Sequence, residues 1–308
     1  MGRAALFALL AAALLAAVVR WGPPTSGPYT AATVLKHDRL RALASPKVVL
    51  VGGSNLAYGV DSERLGRALC RPVANMGLTV ALGFSAMVNE VAGELGPGDI
   101  VIVAPECSLL REPDRVDEAM AAVFDYRPEV LWTIPWYERP RVLGAVAGMH
   151  LQRFVEELPE GLRDGRWPHG KDRLFIPNGD LVEHLALPPL AVKAGPAQSE
   201  FDSLHVSSAF HPIARRLMDA AGRAGAQVVF SWASIADTVY RAEEHEAVRR
   251  ALVQEGYPVV GVPGDYAFAD SLFYDTWYHL TGTGRSLRTD RLIRDLCAAH
   301  PEWCCRKP

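Results

Sequence analysis

The chain has no block rich in lysine and arginine, no C-x-x-C pair, no internal repeat and no low-complexity tract. Each absence removes a class of function. With 308 residues and a formal net charge of −3, it offers no basic face to neutralise phosphates, so nucleic acid is not an expected partner. The five cysteines (Cys70, Cys107, Cys297, Cys304, Cys305) show no metal spacing with histidine, so no zinc site follows, and neither a metal nor a cofactor is expected. Gly52-Gly53 lacks the further glycine of a dinucleotide loop and the lysine of a phosphate loop, which disfavours a nucleotide-binding domain.

What is present is an ordinary globular composition, 49% hydrophobic and 22% charged, with one exceptional terminus. Residues 4–19, "AALFALLAAALLAAVV", contain no polar side chain. The run is slightly short for a bilayer span and a little long for the centre of a signal peptide. Residues 1–21 therefore read as a membrane anchor or signal segment, and an uncleaved anchor with the domain outside is the expectation. Residues 22–45 follow as a linker rising into a first helix.

From residue 46 to about 300, short apolar runs alternate with helical patterns. The runs 47–52, 72–77, 99–105, 226–232 and 257–262 suit strands buried on both faces. Between them, 61–70, 81–95, 211–224 and 240–254 carry helical spacing, with "DSERL" at 61–65 as a capping start. This repetition predicts a three-layer α/β fold around a parallel central sheet. The interval of about 107–210 breaks the pattern and reads as an inserted helical and loop cap over one end of the sheet. Its Trp132, Trp136 and Trp167 either stack sugar rings or pack the cap. In the tail 301–308, Cys304 or Cys305 could bridge to Cys297, or the thiols stay unpaired.

Two stretches carry chemistry. In "KVVLVGGSNLAYGVDS" the first strand ends in Gly52-Gly53, which leaves the Ser54 hydroxyl at the carboxyl edge of the sheet, where a nucleophile would need a base beside it. In "SLFYDTWYHLTGTGRSLRTDRL" the loop before the last helix carries Asp275 and His279, an acid able to fix the tautomer of a base. His150, His184, His205, His211, His245 and His300 lie in stretches without such punctuation and read as surface or packing residues.

Taken in order, "VGGSN", "NMGL" (75–78), "GDIVIVAPE" (98–106) and "DTWYHLTGTG" (275–284) resemble the spaced blocks of the SGNH, or GDSL-like, hydrolase superfamily. The nearest likeness is to its membrane-anchored bacterial members associated with cell-surface polysaccharide acylation. The resemblance covers most of 46–297 except the insertion. It implies a flavodoxin-like sheet, Ser54 as nucleophile, His279 as base and Asp275 as orienting acid. Oxyanion donors would be the Ser54 and Gly77 N–H groups, with Asn55 or Asn75 as substitutes for a donor that is missing.

That donor is missing because the usual Gly-x-Asn-Asp of the third block is replaced by Pro105-Glu106. Glu106 could bind substrate hydroxyls, orient His279 or serve structure only. The usual acid before the serine is Gly53, and Asp275 and His279 are four apart where three is commoner. The resemblance implies an O-acyltransferase or esterase, acetyl by preference, acting on a glycan or other acyl-ester substrate. The domain would face the periplasm or cell exterior from the inner membrane, with a multi-pass membrane acyltransferase as a possible partner. A non-catalytic glycan- or partner-binding domain of the same fold is the alternative.

Overall fold

The computed structural model describes residues 28–114, 118–164, 174–190, 201 and 203–305, with scattered positions at the N-terminus. Most of the apolar run 4–19, residues 20 and 21 after it, residues 22–27 of the linker, Trp167 and the end of the tail lie outside the described residues. Among those described, no helix is long and apolar enough to cross a membrane.

Four parallel strands form the sheet: β1 (Val48–Gly52), β2 (Val73–Asn75), β3 (Ile100–Ala104) and β4 (Gln227–Phe230), in the order β2-β1-β3-β4. Their β-branched runs are buried throughout, apart from Gln227 at the start of β4. Alternation across the pleat sends Val49, Val51, Val101 and Val103 to one face and Val48, Leu50, Ile100 and Ile102 to the other. Each such fully buried side chain contributes roughly 1.5–3 kcal/mol of transfer free energy.

The first face packs against α1 (Pro28–Ala42), α4 (Phe84–Ala92), α8 (Phe210–Ala224) and α9 (Ala242–Gln254). The second packs against α2 (Ser54–Gly59), α3 (Ser62–Leu69) and α10 (Gly282–Ala299). The fold is thus α/β with helices on both faces, as the alternating pattern predicts. Asp61 caps α3 by accepting from Arg64 N, as the "DSERL" signal anticipates.

The expected fifth strand, 257–262, shrinks to one parallel bridge between Phe230 and Val259. Pro258 has no N–H to donate, and Gly261 turns the chain at φ 70°, so the ladder cannot extend. A separate parallel pair joins β5 (Ile235–Ala236) to β6 (Ala267–Phe268).

The insertion supplies α5 (Cys107–Arg111), α6 (Glu118–Phe124) and α7 (Arg139–Asp164). Met120, Val123, Val130, Ile134, Val142 and Val146 form a third core with Ala32 of α1 and Ala57 of α2. A bridge between Phe175 and Leu181 then lays the chain on the carboxyl end of the sheet, where Asn75 N donates to Asn178 O (2.9 Å) and Leu181 N to Ala57 O (3.0 Å). Trp132 and Trp136 stay exposed, so neither packs the cap.

The described part of the tail is tied down by two disulfides. Cys297 pairs with Cys304, one of the two expected partners, and Cys305 pairs with Cys70 at the end of α3. Trp303 is buried in the second core between these bridges.

Candidate active site

The sheet register sets the site. Gly52 pairs with Ala104, so Ser54 and Glu106, each two residues further on, leave adjacent strands at the same height. Leu50 pairs with Asn75, which brings Met76 and Gly77 out beside them. A Cβ on Gly77 would stand 2.6 Å from Leu56 Cβ and 2.7 Å from Gly53 O, so only glycine lets β2 pass this close to the start of α2.

Ser54 opens α2, one of the positions whose N–H has no acceptor within the helix. Its hydroxyl lies 3.5 Å from Glu106 Oε1, at the outer limit of a hydrogen bond. Tyr58, one turn along, shares that face of α2. The Tyr58 ring stacks on His279, with centroids 3.7 Å apart and planes 4° from parallel. Burial, helped by the Asp275 charge, raises the Tyr58 phenol well above its usual range.

His279 Nδ1 lies 2.7 Å from Asp275 Oδ1. The four-residue spacing works because the loop is tied at both ends: Tyr274 N donates to His279 O (2.7 Å), and Thr276 Oγ1 accepts from His279 N (3.1 Å) and Tyr278 N (3.2 Å). Ser54 and His279 are not hydrogen-bonded to each other; they meet on one face of α2 through Tyr58. His184, set aside as a packing residue, packs against Tyr58 and reaches Leu280 O through Nε2 (3.0 Å), and burial lowers it to about 4. A neutral ring there donates through Nε2 and holds the His279 loop in place.

The other expected donors are occupied. Asn55 is fully buried: its N–H (2.8 Å) and Nδ2 (3.0 Å) both donate to Glu106 Oε1, Nδ2 also reaches Ala104 O (3.2 Å), and Oδ1 accepts from Arg288 Nη2 (2.8 Å). Gly77 N–H donates to Asn75 Oδ1 (3.0 Å). Asn75 Nδ2 in turn donates to Leu56 O (2.9 Å) and Asp180 Oδ1 (2.8 Å). In this arrangement the N–H groups of Asn55, Gly77 and the Asn75 side chain each have an acceptor within the protein. The Ser54 N–H remains.

Glu106 and Gly53 belong together. A Cβ on residue 53 would meet Glu106 Oε1 at 2.6 Å and Val80 Cγ1 at 2.6 Å. The Glu106 carboxylate thus fills room that the absence of a side chain at Gly53 leaves. Behind Glu106, Arg288 is fully buried and donates to Asn55 O (2.8 Å) and Trp232 O (3.1 Å), and burial lowers it to about 10.

A second buried network braces α2 from the other end. Asp180 accepts from Ser62 N (2.9 Å), Asn75 and Arg285, and Arg285 Nε donates to Val60 O (2.9 Å). Lys36 Nζ donates to Asn75 O (2.8 Å) and Gly179 O, and burial lowers the ammonium to about 7. It lines a mostly apolar pocket with Gly52, Met76, Leu78 and Met120, each from the carboxyl end of the sheet or the cap.

Tyr58, Arg288, Asp180 and Lys36 escaped sequence reasoning. For Tyr58 the helical offset of four from Ser54 was the available signal. For Arg288 it was the register: Arg285, Arg288, Leu292 and Leu296 fall on one buried stripe of α10, where a cation is out of place. Among the described residues no group of His, Cys, Asp and Glu could hold a metal ion. No protein-family model and no curated protein sequence matches this chain.

Proposed function

We propose that the protein is an SGNH-type serine O-acyltransferase or esterase, anchored to a membrane by its N-terminal run and acting on an acylated surface glycan. The observation that carries this reading is the His279–Asp275 pair, held against Tyr58 on the face of α2 that begins with Ser54. The strand order β2-β1-β3-β4 agrees with a flavodoxin-like sheet of that superfamily.

In the proposed reaction, Asp275 holds the Nδ1–H tautomer of His279, which leaves Nε2 to take the Ser54 proton. Ser54 Oγ then attacks the ester carbonyl, and the oxyanion accepts from the Ser54 N–H. Collapse expels the alcohol, protonated by His279, and leaves acyl-Ser54. Water or a sugar hydroxyl, deprotonated by His279, completes hydrolysis or transfer. Ser54 must turn from Glu106 towards His279, a tightening of the kind that substrate binding brings. The bridges Cys70–Cys305 and Cys297–Cys304 favour an oxidising compartment, which fits a domain outside the cytoplasm.

A second reading, a non-catalytic glycan- or partner-binding domain of this fold, is favoured by the carboxylate beside Ser54 and the occupied Gly77 donor. A fluorophosphonate probe separates the two. Labelling of the wild type that disappears in Ser54→Ala is the expected result; an unlabelled wild type with intact fold rejects the acyl-enzyme.

A further inference from the structure

The outer face of the cap is built unlike a water-facing surface. Helix α7 buries Val142, Val146 and His150 and turns the opposite half outward. That outward half carries Leu143, Leu151 and Val155 at 45%, 52% and 65% exposure, with Gly144 and Gly148 between them and Pro140 ahead of them. Only Arg141 and Gln152 are polar there. Just before the helix, Trp132 and Trp136 are 69% and 76% exposed, with Tyr137 beside them. Isolated exposed leucines are ordinary, but aromatic and aliphatic side chains exposed together over residues 132–155 mark an interaction surface.

Two observations identify what covers it. The first is charge: no Asp or Glu occurs between Glu138 and Glu156, while Arg139, Arg141 and Arg153 do. Apolar residues with tryptophan and tyrosine at one end, where Arg141 pairs with Glu138 (3.5 Å) and the Tyr137 hydroxyl donates to Asp114 Oδ2 (3.4 Å), suit the interface of a bilayer. A sugar-stacking platform would instead set hydrogen-bonding side chains beside its rings.

The second is the tether. The apolar run ends at Val19, and Tyr29 and Ala32 of α1 pack into the same core as Val130, Ile134, Val142 and Val146. The nine residues 20–28 between them span at most about 30 Å when fully extended. A chain held in a bilayer by residues 4–19 therefore keeps the cap, rather than the far end of the sheet, next to the lipid.

We propose that the outer face of the cap, Trp132, Trp136 and the Leu143–Val155 side of α7, docks on the surface of the membrane that anchors the chain. This rests on the anchor reading of residues 4–19 and is independent of the chemistry at Ser54. It makes the insertion a second, peripheral contact that fixes how the domain is oriented on the bilayer.

The test uses the full-length chain, with Trp21→Phe as common background, reconstituted into phosphatidylcholine–phosphatidylglycerol vesicles containing brominated lipid. Flotation reports anchoring, and quenching of tryptophan fluorescence reports the cap. The expected result is flotation of every variant, quenching in the Trp21→Phe protein, and loss of most of that quenching in Trp132→Phe/Trp136→Phe. A Leu151→Glu/Val155→Glu variant, altered only at exposed positions, should float but lose quenching as well. Flotation with equal quenching in all variants overturns the inference, as does absence of quenching, the result expected if a membrane protein or a second copy covers this face. Failure to float overturns the anchor reading and the inference with it. Fluorophosphonate labelling of Ser54, followed in the same samples, is unaffected by any of these outcomes.

Discussion

Replacing Glu106 with glutamine removes one negative charge from beside the proposed nucleophile while keeping the shape of the side chain. Glu106 Oε1 stands 3.5 Å from Ser54 Oγ, so an oxyanion on the carbonyl carbon bonded to that Oγ would lie about 5 Å from the carboxylate. Two unit charges at that separation repel by about 3 kcal/mol at an effective dielectric of about 20. Arg288, bonded to Asn55 O and Oδ1, offsets part of it. A residual of about 1.4 kcal/mol already corresponds to about tenfold in rate.

Glutamine also weakens the acceptor that draws the Ser54 hydroxyl away from His279. Both effects run the same way, so Glu106→Gln is expected to acylate about tenfold faster or more. The assay is the second-order rate of fluorophosphonate labelling, with release of nitrophenol from a nitrophenyl ester as a second measure and thermal unfolding as a control. Stability should fall, because Asn55 loses a charged acceptor and Arg288 a nearby opposite charge. A rate that drops or stays unchanged in a folded variant refutes the reasoning; a drop would make Glu106 itself the group that receives the serine proton.

The same corner predicts a packing coupling. Gly53→Ala places a methyl 2.6 Å from both Glu106 Oε1 and Val80 Cγ1 and should cost about 1–3 kcal/mol by urea denaturation, with a smaller cost in a Glu106→Ala background; equal costs in both backgrounds would separate the two positions. Lys36 makes a pH prediction. Burial lowers it to about 7 in the folded chain, against about 10.4 when unfolded, so the unfolded state binds more protons between those values. Stability should therefore rise with pH through that window and fall as pH drops through the folded value. Lys36→Met should flatten the rise, whatever it does to stability at a single pH, and an unaltered slope in urea melts at several pH values would sink the assignment.

The parts of the fold legible in the sequence are those where local pattern and final environment agree. The runs of β1, β3 and β4 are apolar because the sheet is covered on both faces, and Ser54, Asp275 and His279 stand out because glycine and turn residues mark a helix start and a loop. Residues 257–262 misled because an apolar run says nothing of whether its amides can pair, and Pro258 with Gly261 prevents it. The occupied Gly77 amide was invisible, since it depends on where the Asn75 side chain turns. Arg288, Asp180 and Lys36 were invisible for a related reason: a charge within a helical or loop pattern reads as solvent-facing until its burial and partners are known. The pairing of Cys70 with Cys305 spans a separation of 235 residues, and nothing in local sequence reports it.

That long bridge changes how the chain responds to being cut. Because Cys70 and Cys305 are joined, most of the domain is a single covalent ring that includes the cap and every strand but β1. A protease that nicks one surface loop of the cap severs the backbone without creating two separable fragments. The piece bearing Ser54 and the piece bearing His279 stay linked through the tail, so the two halves of the proposed site cannot diffuse apart until a reductant opens the bridge.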